Sequence, residues 1–132
     1  MKGNIRVYCR VKPVLLKEEP VPTIVIQDRQ LLIFNKNTPV NLDMVYPDYT
    51  TQYEVFEEIS ELVQSALDGY KVCIFSYGQT GSGKTHTMEG PSGVMNLEAE
   101  DHFDQRGMIQ RSAEQIFDRI ESLRSDGWTV DI

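Results

Sequence analysis

Eight consecutive residues, Gly78 to Thr85, read Gly-Gln-Thr-Gly-Ser-Gly-Lys-Thr and match the pattern G-x-x-x-x-G-K-[ST] in full. Glycines let the backbone turn its N–H groups inward around an anion, and no Cβ obstructs the approach. Lys84 can reach the β- and γ-phosphates of a nucleotide as a point charge, and Thr85 can offer its hydroxyl to Mg²⁺. A helix that begins here points its positive end at the phosphates. We therefore predict a phosphate-binding loop, the P-loop, at residues 78–85.

The alternative interpretation of this segment is a flexible glycine-rich loop that contains Lys-Thr by chance. The flanking sequence argues against it, because Lys71–Tyr77 is mostly apolar, as expected for a buried parallel strand. A short helix from about Lys84 to Glu89 is predicted to follow, so the loop lies between a strand and a helix. A dinucleotide-binding G-x-G-x-x-G pattern is not supported, because His86 stands where the third glycine belongs.

The amino-acid composition limits the classes of protein to which the chain can belong. With 132 residues, of which 40% are hydrophobic, the chain is one domain at most and has enough apolar residues for a core. A net charge of −7 without a Lys/Arg cluster argues against a nucleic-acid partner. No apolar run reaches the roughly 18 residues of a membrane span, so we predict a soluble cytoplasmic protein without a membrane partner. Cys9 and Cys73 are predicted to be buried, reduced thiols on strands rather than a disulfide or a metal site.

The first part of the chain predicts strands. Asn4–Lys12 alternates apolar and polar residues, which predicts a strand with Ile5, Val7, Cys9 and Val11 on its buried face and an end at Pro13. Thr23–Ile26 and Leu31–Phe34 predict a small hairpin, and Asn41–Tyr46 predicts one further strand.

Two longer helices are predicted on either side of the P-loop. Thr51 and Glu54 form a capping-box pattern, and the apolar period that follows ends at Gly69. Its apolar positions are Phe56, Ile59, Leu62, Val63, Ala66 and Leu67. A second stripe, stopped by Asp126-Gly127, consists of Ile109, Ala113, Ile116, Phe117, Ile120 and Leu123. Gly90–Gly107 predicts a long polar loop, and Trp128–Ile132 is β-like. Strands that alternate with helices around a P-loop predict an α/β sheet with helices on both faces.

A family resemblance follows from three stretches. Tyr77–Gly90 (Tyr-Gly-Gln-Thr-Gly-Ser-Gly-Lys-Thr-His-Thr-Met-Glu-Gly), together with Leu67–Phe75 and Gly3–Pro13, resembles the kinesin motor domain. The resemblance spans essentially the whole chain. It implies the P-loop NTPase fold in incomplete form, with residues 1–132 as the N-terminal portion of a motor domain. Lys2–Val7 and Leu62–Tyr70 are most similar to the C-terminal-motor, minus-end-directed kinesins.

The resemblance implies ATP and Mg²⁺ as ligands, with Thr85 as the Mg²⁺ ligand. The phosphate-binding residues would be Gly78, Gln79, Thr80, Gly81, Ser82, Gly83, Lys84 and Thr85. Arg10, Lys12 and Pro13 would hold the adenine, with His86 on its other side, since guanidinium and imidazole groups can stack on a purine. The alternative for Arg10 is an ordinary solvated strand residue, and the alternative for His86 is an ordinary helix-surface histidine.

Two positions depart from the family pattern. Lys12 stands where arginine is usual, which keeps the charge but loses planar stacking, so we expect weaker adenine binding. Gln110 stands where proline is common, and we expect this change to alter how the following helix begins rather than the chemistry.

Hydrolysis would need further elements. The family supplies them from an Asn-x-x-Ser-Ser-Arg-Ser-His segment and an Asp-Leu-Ala-Gly-Ser-Glu segment, and neither occurs in the 132 residues. We therefore expect no catalytic residue within this chain and no turnover by the chain as given. The parent protein implied is an ATPase that moves along microtubules, dimeric through a coiled coil outside this chain and located in the cytoplasm on the cytoskeleton.

Two other functions stay open from the residues. One is a truncated fragment that binds nucleotide or a partner without turnover. The other is an unrelated P-loop kinase, which would need a lid with arginines, whereas the loop Glu98–Asp104 is acidic.

Overall fold

The computed structural model describes residues 5–13, 24–27, 30–33, 39–91 and 105–130. The chain divides into two compact units, Met1–Thr50 and Thr51–Ile132, and each is described by itself. Within the described ranges, all strands lie in the first unit and all helices in the second. The strands are β1 (Tyr8–Arg10), β2 (Ile24–Gln27), β3 (Gln30–Ile33), β4 (Pro39–Asn41) and β5 (Met44–Tyr46). The helices are α1 (Gln52–Leu67), α2 (Lys84–Met88) and α3 (Met108–Ser125).

Strands β1 and β5 form a parallel pair in which Cys9 lies opposite Val45. Backbone hydrogen bonds extend the pairing beyond both ends of β1, from Val11 N–H to the Tyr46 carbonyl (2.9 Å) and from Asp43 N–H to the Val7 carbonyl (3.1 Å). Val45 and Tyr46 on β5 are the buried apolar residues among those whose burial is described in this unit.

The predicted strand at Asn4–Lys12 is therefore correct in place but too long. Its expected buried face is exposed at the start, where Ile5 is 91% and Val7 50% accessible. Cys9 and Val11 are partly buried. Side-chain alternation identifies an extended segment, but the depth of burial depends on what covers that face.

A second, antiparallel sheet has the order β2-β3-β4. Ile24 lies opposite Ile33 across the predicted hairpin, which is confirmed. Its turn, together with Thr23 and Phe34, lies outside the described residues. The single strand predicted at Asn41–Tyr46 is wrong, because β4 and β5 belong to different sheets. Asp43, between them, accepts a hydrogen bond from Val7 N–H on its carboxylate (2.7 Å), a contact that no alternation pattern reveals.

Helix α1 begins and ends where the sequence predicts. Thr51 is its N-cap, with Glu54 N–H donating to the Thr51 hydroxyl (3.2 Å) and Thr51 N–H donating to the Glu54 carboxylate (2.7 Å). At the other end Gly69 N–H donates to the Ala66 carbonyl and Tyr70 N–H to the Ser65 carbonyl, both at 3.0 Å. This is the Schellman arrangement that satisfies the last carbonyls of a helix.

Helix α3 contacts α1 and ends in the same arrangement, with Gly127 N–H on the Arg124 carbonyl and Trp128 N–H on the Leu123 carbonyl. Among the described residues of this unit, the buried hydrophobic side chains are Val55, Ile59 and Val63 on α1 and Ile120 on α3. The predicted α3 stripe is only partly covered, because Ile109 and Phe117 are 52% and 56% exposed.

The segment Lys71–Tyr77 differs most from its prediction as a buried parallel strand. It forms no hydrogen-bonded strand, and its side chains alternate between exposed and partly buried positions. Phe75 and Tyr77 are 79% and 95% exposed, and Cys73 is exposed rather than buried. A strand exists only through its neighbours, and the described part of the second unit contains no other strand.

Cys9 and Cys73 are both free thiols, and burial raises the pKa of Cys9. Most of the predicted loop Gly90–Gly107 lies outside the described residues, and residues 128–130 form no strand. Among the described helices, none is both long and apolar enough to cross a membrane. The described side chains also include no group of three or more His, Cys, Asp or Glu that could hold a metal ion.

Candidate nucleotide-binding site

The predicted P-loop lies between the extended segment Lys71–Tyr77 and helix α2, in the order that the sequence indicates. Gly83 is the N-cap of α2 and has a left-handed backbone with φ of 97°, and Gly81 has φ of 81°. L-residues with a β-carbon rarely adopt these conformations, so the glycine spacing of the motif sets the path of the loop.

The Lys84 side chain hydrogen-bonds to the backbone of the loop that precedes it. Its Nζ atom donates hydrogen bonds to the carbonyls of Gly78 and Gln79, both at 2.8 Å, while Ser82 N–H donates to the Gln79 carbonyl at 3.2 Å. The loop is tight at this point, since a β-carbon at Gly78 would lie 2.5 Å from the Ser82 hydroxyl oxygen. The ammonium group is therefore held beside the loop backbone, where it can serve as a point charge for an anion.

The next two candidate residues are accessible. Thr85 and His86 are exposed on α2, and Gln79 and Thr80 are exposed in the loop. An exposed threonine hydroxyl beside the lysine is an oxygen donor of the kind that Mg²⁺ prefers.

The far end of α2 makes contacts that the motif does not predict. The Gln52 amide donates from Nε2 to the His86 carbonyl (2.6 Å) and to the Gln105 carbonyl (3.3 Å). The Gln110 amide donates from Nε2 to the Glu89 carbonyl (2.6 Å). Gln52 was missed because its partners are 34 and 53 positions away in the sequence. A signal existed, since Gln52 continues the buried face of Val55 and Ile59 as a polar residue on an apolar stripe.

Two buried arginines flank the start of α3, and neither was predicted. Arg106 forms an ion pair with Glu114 (3.0 Å), and Arg111 Nε donates to the Arg106 carbonyl (3.0 Å). The Arg111 guanidinium also lies 5.8 Å from the centre of the Tyr53 ring, within cation–π range. These contacts join the first turn of α3 to α1 and to the residues before it.

Three of the four adenine candidates, Arg10, Lys12 and Pro13, lie in the first unit, whereas His86 lies on α2 in the second. Arg10 is the last residue of β1, is partly buried, and donates from Nη2 to the Thr50 carbonyl (3.1 Å). Burial lowers the pKa of Arg10, but guanidinium groups start so high that it stays protonated. Lys12 and Pro13 follow β1 and are exposed. Because these residues and the P-loop belong to different units, their assignment to one site stays a prediction.

Comparison with known proteins gives one consistent picture. A family model described as microtubule binding matches residues 1–132. The chain is 46% identical to Carboxy-terminal kinesin 2 of Xenopus laevis, over 97% of this chain and 22% of that protein. It is 48% identical to Kinesin-like protein KIN-14C of Arabidopsis thaliana, over 97% of this chain and 16% of that protein. The chain thus spans about a fifth of the length of these curated relatives.

Solved structures agree with the sequence relatives. The motor domain of the Kar3-like kinesin from Ashbya gossypii matches with a TM-score of 0.76 and 43% identity, over 96% of this chain and 40% of that one. The C-terminal motor domain of Kar3 from Candida glabrata gives 0.79 and 37% identity, over 96% and 41%. The predicted P-loop NTPase fold of the motor-domain type is confirmed by this likeness, as is the similarity to kinesins with a C-terminal motor.

Proposed function

We propose, because this chain belongs to the kinesin family, that residues 1–132 are the N-terminal portion of a motor domain. We also propose that these residues bind the Mg-ATP that the motor uses to move along microtubules. The partner would be tubulin in the microtubule lattice, and the location would be the cytoskeleton in the cytoplasm. The observation that carries the nucleotide part is the position of Lys84 Nζ, 2.8 Å from two carbonyls of the glycine loop.

The geometry supports a phosphate ligand over a structural glycine turn. A lysine that serves only as a surface residue is solvated, whereas Lys84 is partly buried and held at the loop backbone. Two loop carbonyls hold the ammonium, and an incoming phosphate would replace them with a charged acceptor, which makes a stronger hydrogen bond. The backbone N–H groups that surround the phosphates would come from Gly78, Gln79, Thr80, Gly81, Ser82 and Gly83.

Thr85 would hold Mg²⁺ through its hydroxyl, and the metal would supply positive charge at the phosphates. The exposed side chain and its position next to Lys84 fit this role. Bound Mg²⁺ would neutralise phosphate charge. Arg10, Lys12, Pro13 and His86 are proposed to hold the adenine, on the strength of the family resemblance and the ionised guanidinium of Arg10.

Nucleotide affinity of a Lys84→Ala variant tests the site. Losing one charge-assisted contact to phosphate is worth about 1.5–3 kcal/mol, so the affinity for Mg-ADP should fall about 10- to 100-fold or more. The samples are the complete product of the gene that encodes this chain, measured by calorimetric titration. Lys71→Ala is the matched control, because Lys71 is exposed and lies outside the loop.

The two variants separate specific from general effects of charge. Affinity should be unchanged in Lys71→Ala and strongly reduced in Lys84→Ala. Equal affinity of Lys84→Ala and the unaltered protein would contradict the assignment of residues 78–85 as the phosphate-binding loop, and a lack of Mg-ADP binding by the unaltered protein would contradict the nucleotide-binding function.

A second function, binding without turnover, is favoured for the 132 residues by themselves. The two family segments that position the attacking water and sense the γ-phosphate are absent from this sequence. Under this alternative, ATP hydrolysis by the 132-residue chain equals that of buffer, with or without microtubules, while Mg-ADP still binds.

A further inference from the structure

We propose that Gln52 and Gln110 are positioning residues that hold the C-terminal end of α2 and thereby fix the P-loop at its other end. Neither residue lies in the P-loop. The proposal rests on the proposed nucleotide-binding function. Together the two side chains form what we call the glutamine clamp.

Helix α2 needs such a clamp because it is short. It comprises five residues, Lys84–Met88, and has no side-chain hydrogen bond at its N-cap. A helix of this length does not hold itself together in water, since nucleation is costly and few bonds follow it. Its orientation, and that of Lys84 in its first turn, must therefore come from tertiary contacts.

Gln52 supplies one contact from the start of α1. The side chain is 7% exposed, and its Nε2 atom lies 2.6 Å from the His86 carbonyl and 3.3 Å from the Gln105 carbonyl. The His86 carbonyl also accepts the Gly90 N–H (2.9 Å), so it serves the helix and the clamp together. One amide thus ties α1, α2 and the residues before α3.

Gln110 supplies the second contact from the first turn of α3. Its Nε2 atom lies 2.6 Å from the carbonyl of Glu89, the residue that caps α2. Proline, which is common in the family at this position, has no side-chain donor and could not make this bond. The change from proline to glutamine was expected only to alter the start of α3, and it also adds a link to α2.

Two glycines show that the backbones are held close at this junction. A β-carbon at Gly107 would lie 2.4 Å from the Met88 carbonyl oxygen, and one at Gly90 would lie 2.6 Å from the Gln105 carbonyl oxygen. This close approach brings the His86 carbonyl within reach of the Gln52 amide and the Glu89 carbonyl within reach of the Gln110 amide. The clamp is therefore built into the packing around α2, and a loosened end would move the opposite end that bears Lys84.

Hydrogen exchange without nucleotide tests the clamp independently of ligand binding. The amides of Glu89 and Gly90 donate to the carbonyls of Thr85 and His86. In Gln52→Met, which keeps the length and loses the donor, both amides should exchange about fivefold faster, as expected for one lost hydrogen bond. The sample is the complete gene product.

Nucleotide affinity tests the consequence for the site. Mg-ADP should bind about fivefold more weakly to Gln52→Met and to Gln110→Met. Gln110→Lys restores a donor to the Glu89 carbonyl and should bind within about twofold of the unaltered protein. The Gln110 variants carry the same test if the buried Gln52 variant fails to fold.

Gln115→Met is the matched control. The Gln115 amide donates to the Ser60 carbonyl (3.1 Å), so this variant also removes an amide-to-carbonyl bond between helices, but one remote in sequence from α2. It should leave Glu89 and Gly90 exchange and Mg-ADP affinity unchanged. Equal losses of affinity in Gln115→Met and Gln52→Met would overturn the clamp, because the effect would then be general destabilisation.

The two proposals fail in different ways. If the unaltered protein binds no Mg-ADP, the nucleotide function fails and the exchange rates alone judge the clamp. If it binds Mg-ADP while exchange and affinity in Gln52→Met and Gln110→Met match the unaltered protein, the clamp is wrong and the nucleotide site stands.

Discussion

Glu54, in the first turn of α1, has a carboxylate whose ionisation depends on its neighbour Thr51. Hydrogen bonds from the Thr51 backbone N–H and hydroxyl (2.7 and 2.8 Å) lower the pKa of Glu54 below its ordinary 4.5. A carboxylate whose pKa is lower in the folded state adds stability above its ordinary pKa. That contribution is lost as the pH falls below 4.5 and through the lower folded value.

Thr51→Val should raise the pKa of Glu54 toward its ordinary value and destabilise the protein by about 1 kcal/mol through loss of the N-cap. Carbon-detected NMR titration of the Glu54 carboxyl measures the first effect, and denaturant unfolding at neutral pH the second. Thr129→Val, at an exposed position beyond α3, should change neither. An unchanged Glu54 titration in Thr51→Val would contradict the capping account.

At this scale the sequence predicts residues whose chemical type is prescribed locally. The glycines of residues 78–83, Lys84 and Thr85 could be proposed as a phosphate site because a phosphate needs those residue types at that spacing. Gln52 could not, because the carbonyls that it binds belong to residues brought near only by folding. Arg106 and Arg111 were missed for the same reason, since their partners Glu114 and Tyr53 lie on helices that folding brings near.

Helix ends and the β2–β3 hairpin were predictable, whereas pairing between strands distant in the sequence was not. Thr51, Gly69 and Gly127 act within a few residues of themselves, so the capping box and both Schellman ends follow from the sequence. The segment Lys71–Tyr77 has the composition of a buried strand, but burial and pairing come from other strands. The split of Asn41–Tyr46 into β4 and β5 likewise depends on which sheet each half joins.

The exposed aromatic residues of Lys71–Tyr77 predict self-association of the 132-residue chain. Phe75 and Tyr77 are 79% and 95% exposed on one side of an unpaired extended segment, which is a surface prone to strand-to-strand aggregation. The double variant Phe75→Ser, Tyr77→Ser should scatter about severalfold less light than the unaltered 132-residue chain at equal concentration.

Tyr49→Ser is the control for this prediction, because Tyr49 is 82% exposed in the other unit. It should leave scattering unchanged. The same reduction in Tyr49→Ser would show that the effect reflects aromatic content and not the unpaired segment.

The whole chain matches only part of the proteins it resembles. It corresponds to about two-fifths of the solved Kar3 motor domains, and few of the apolar residues that the structure describes are buried in either unit. This is consistent with the proposal that residues 1–132 supply the nucleotide loop of a larger catalytic domain. Membership of the family and the motor-domain fold follow from the sequence, because short contiguous stretches such as Tyr77–Gly90 and Gly3–Pro13 carry the resemblance.

Microtubule-stimulated ATP hydrolysis tests the motor function most directly. It is measured on the complete gene product, on its Lys84→Ala and Lys71→Ala variants, and on the 132-residue chain alone. We predict that microtubules raise ATP turnover of the complete product and of Lys71→Ala, that Lys84→Ala abolishes turnover, and that the 132-residue chain equals buffer. The motor function would be contradicted if microtubules did not change the ATP turnover of the complete product, or if Lys84→Ala left that turnover unchanged.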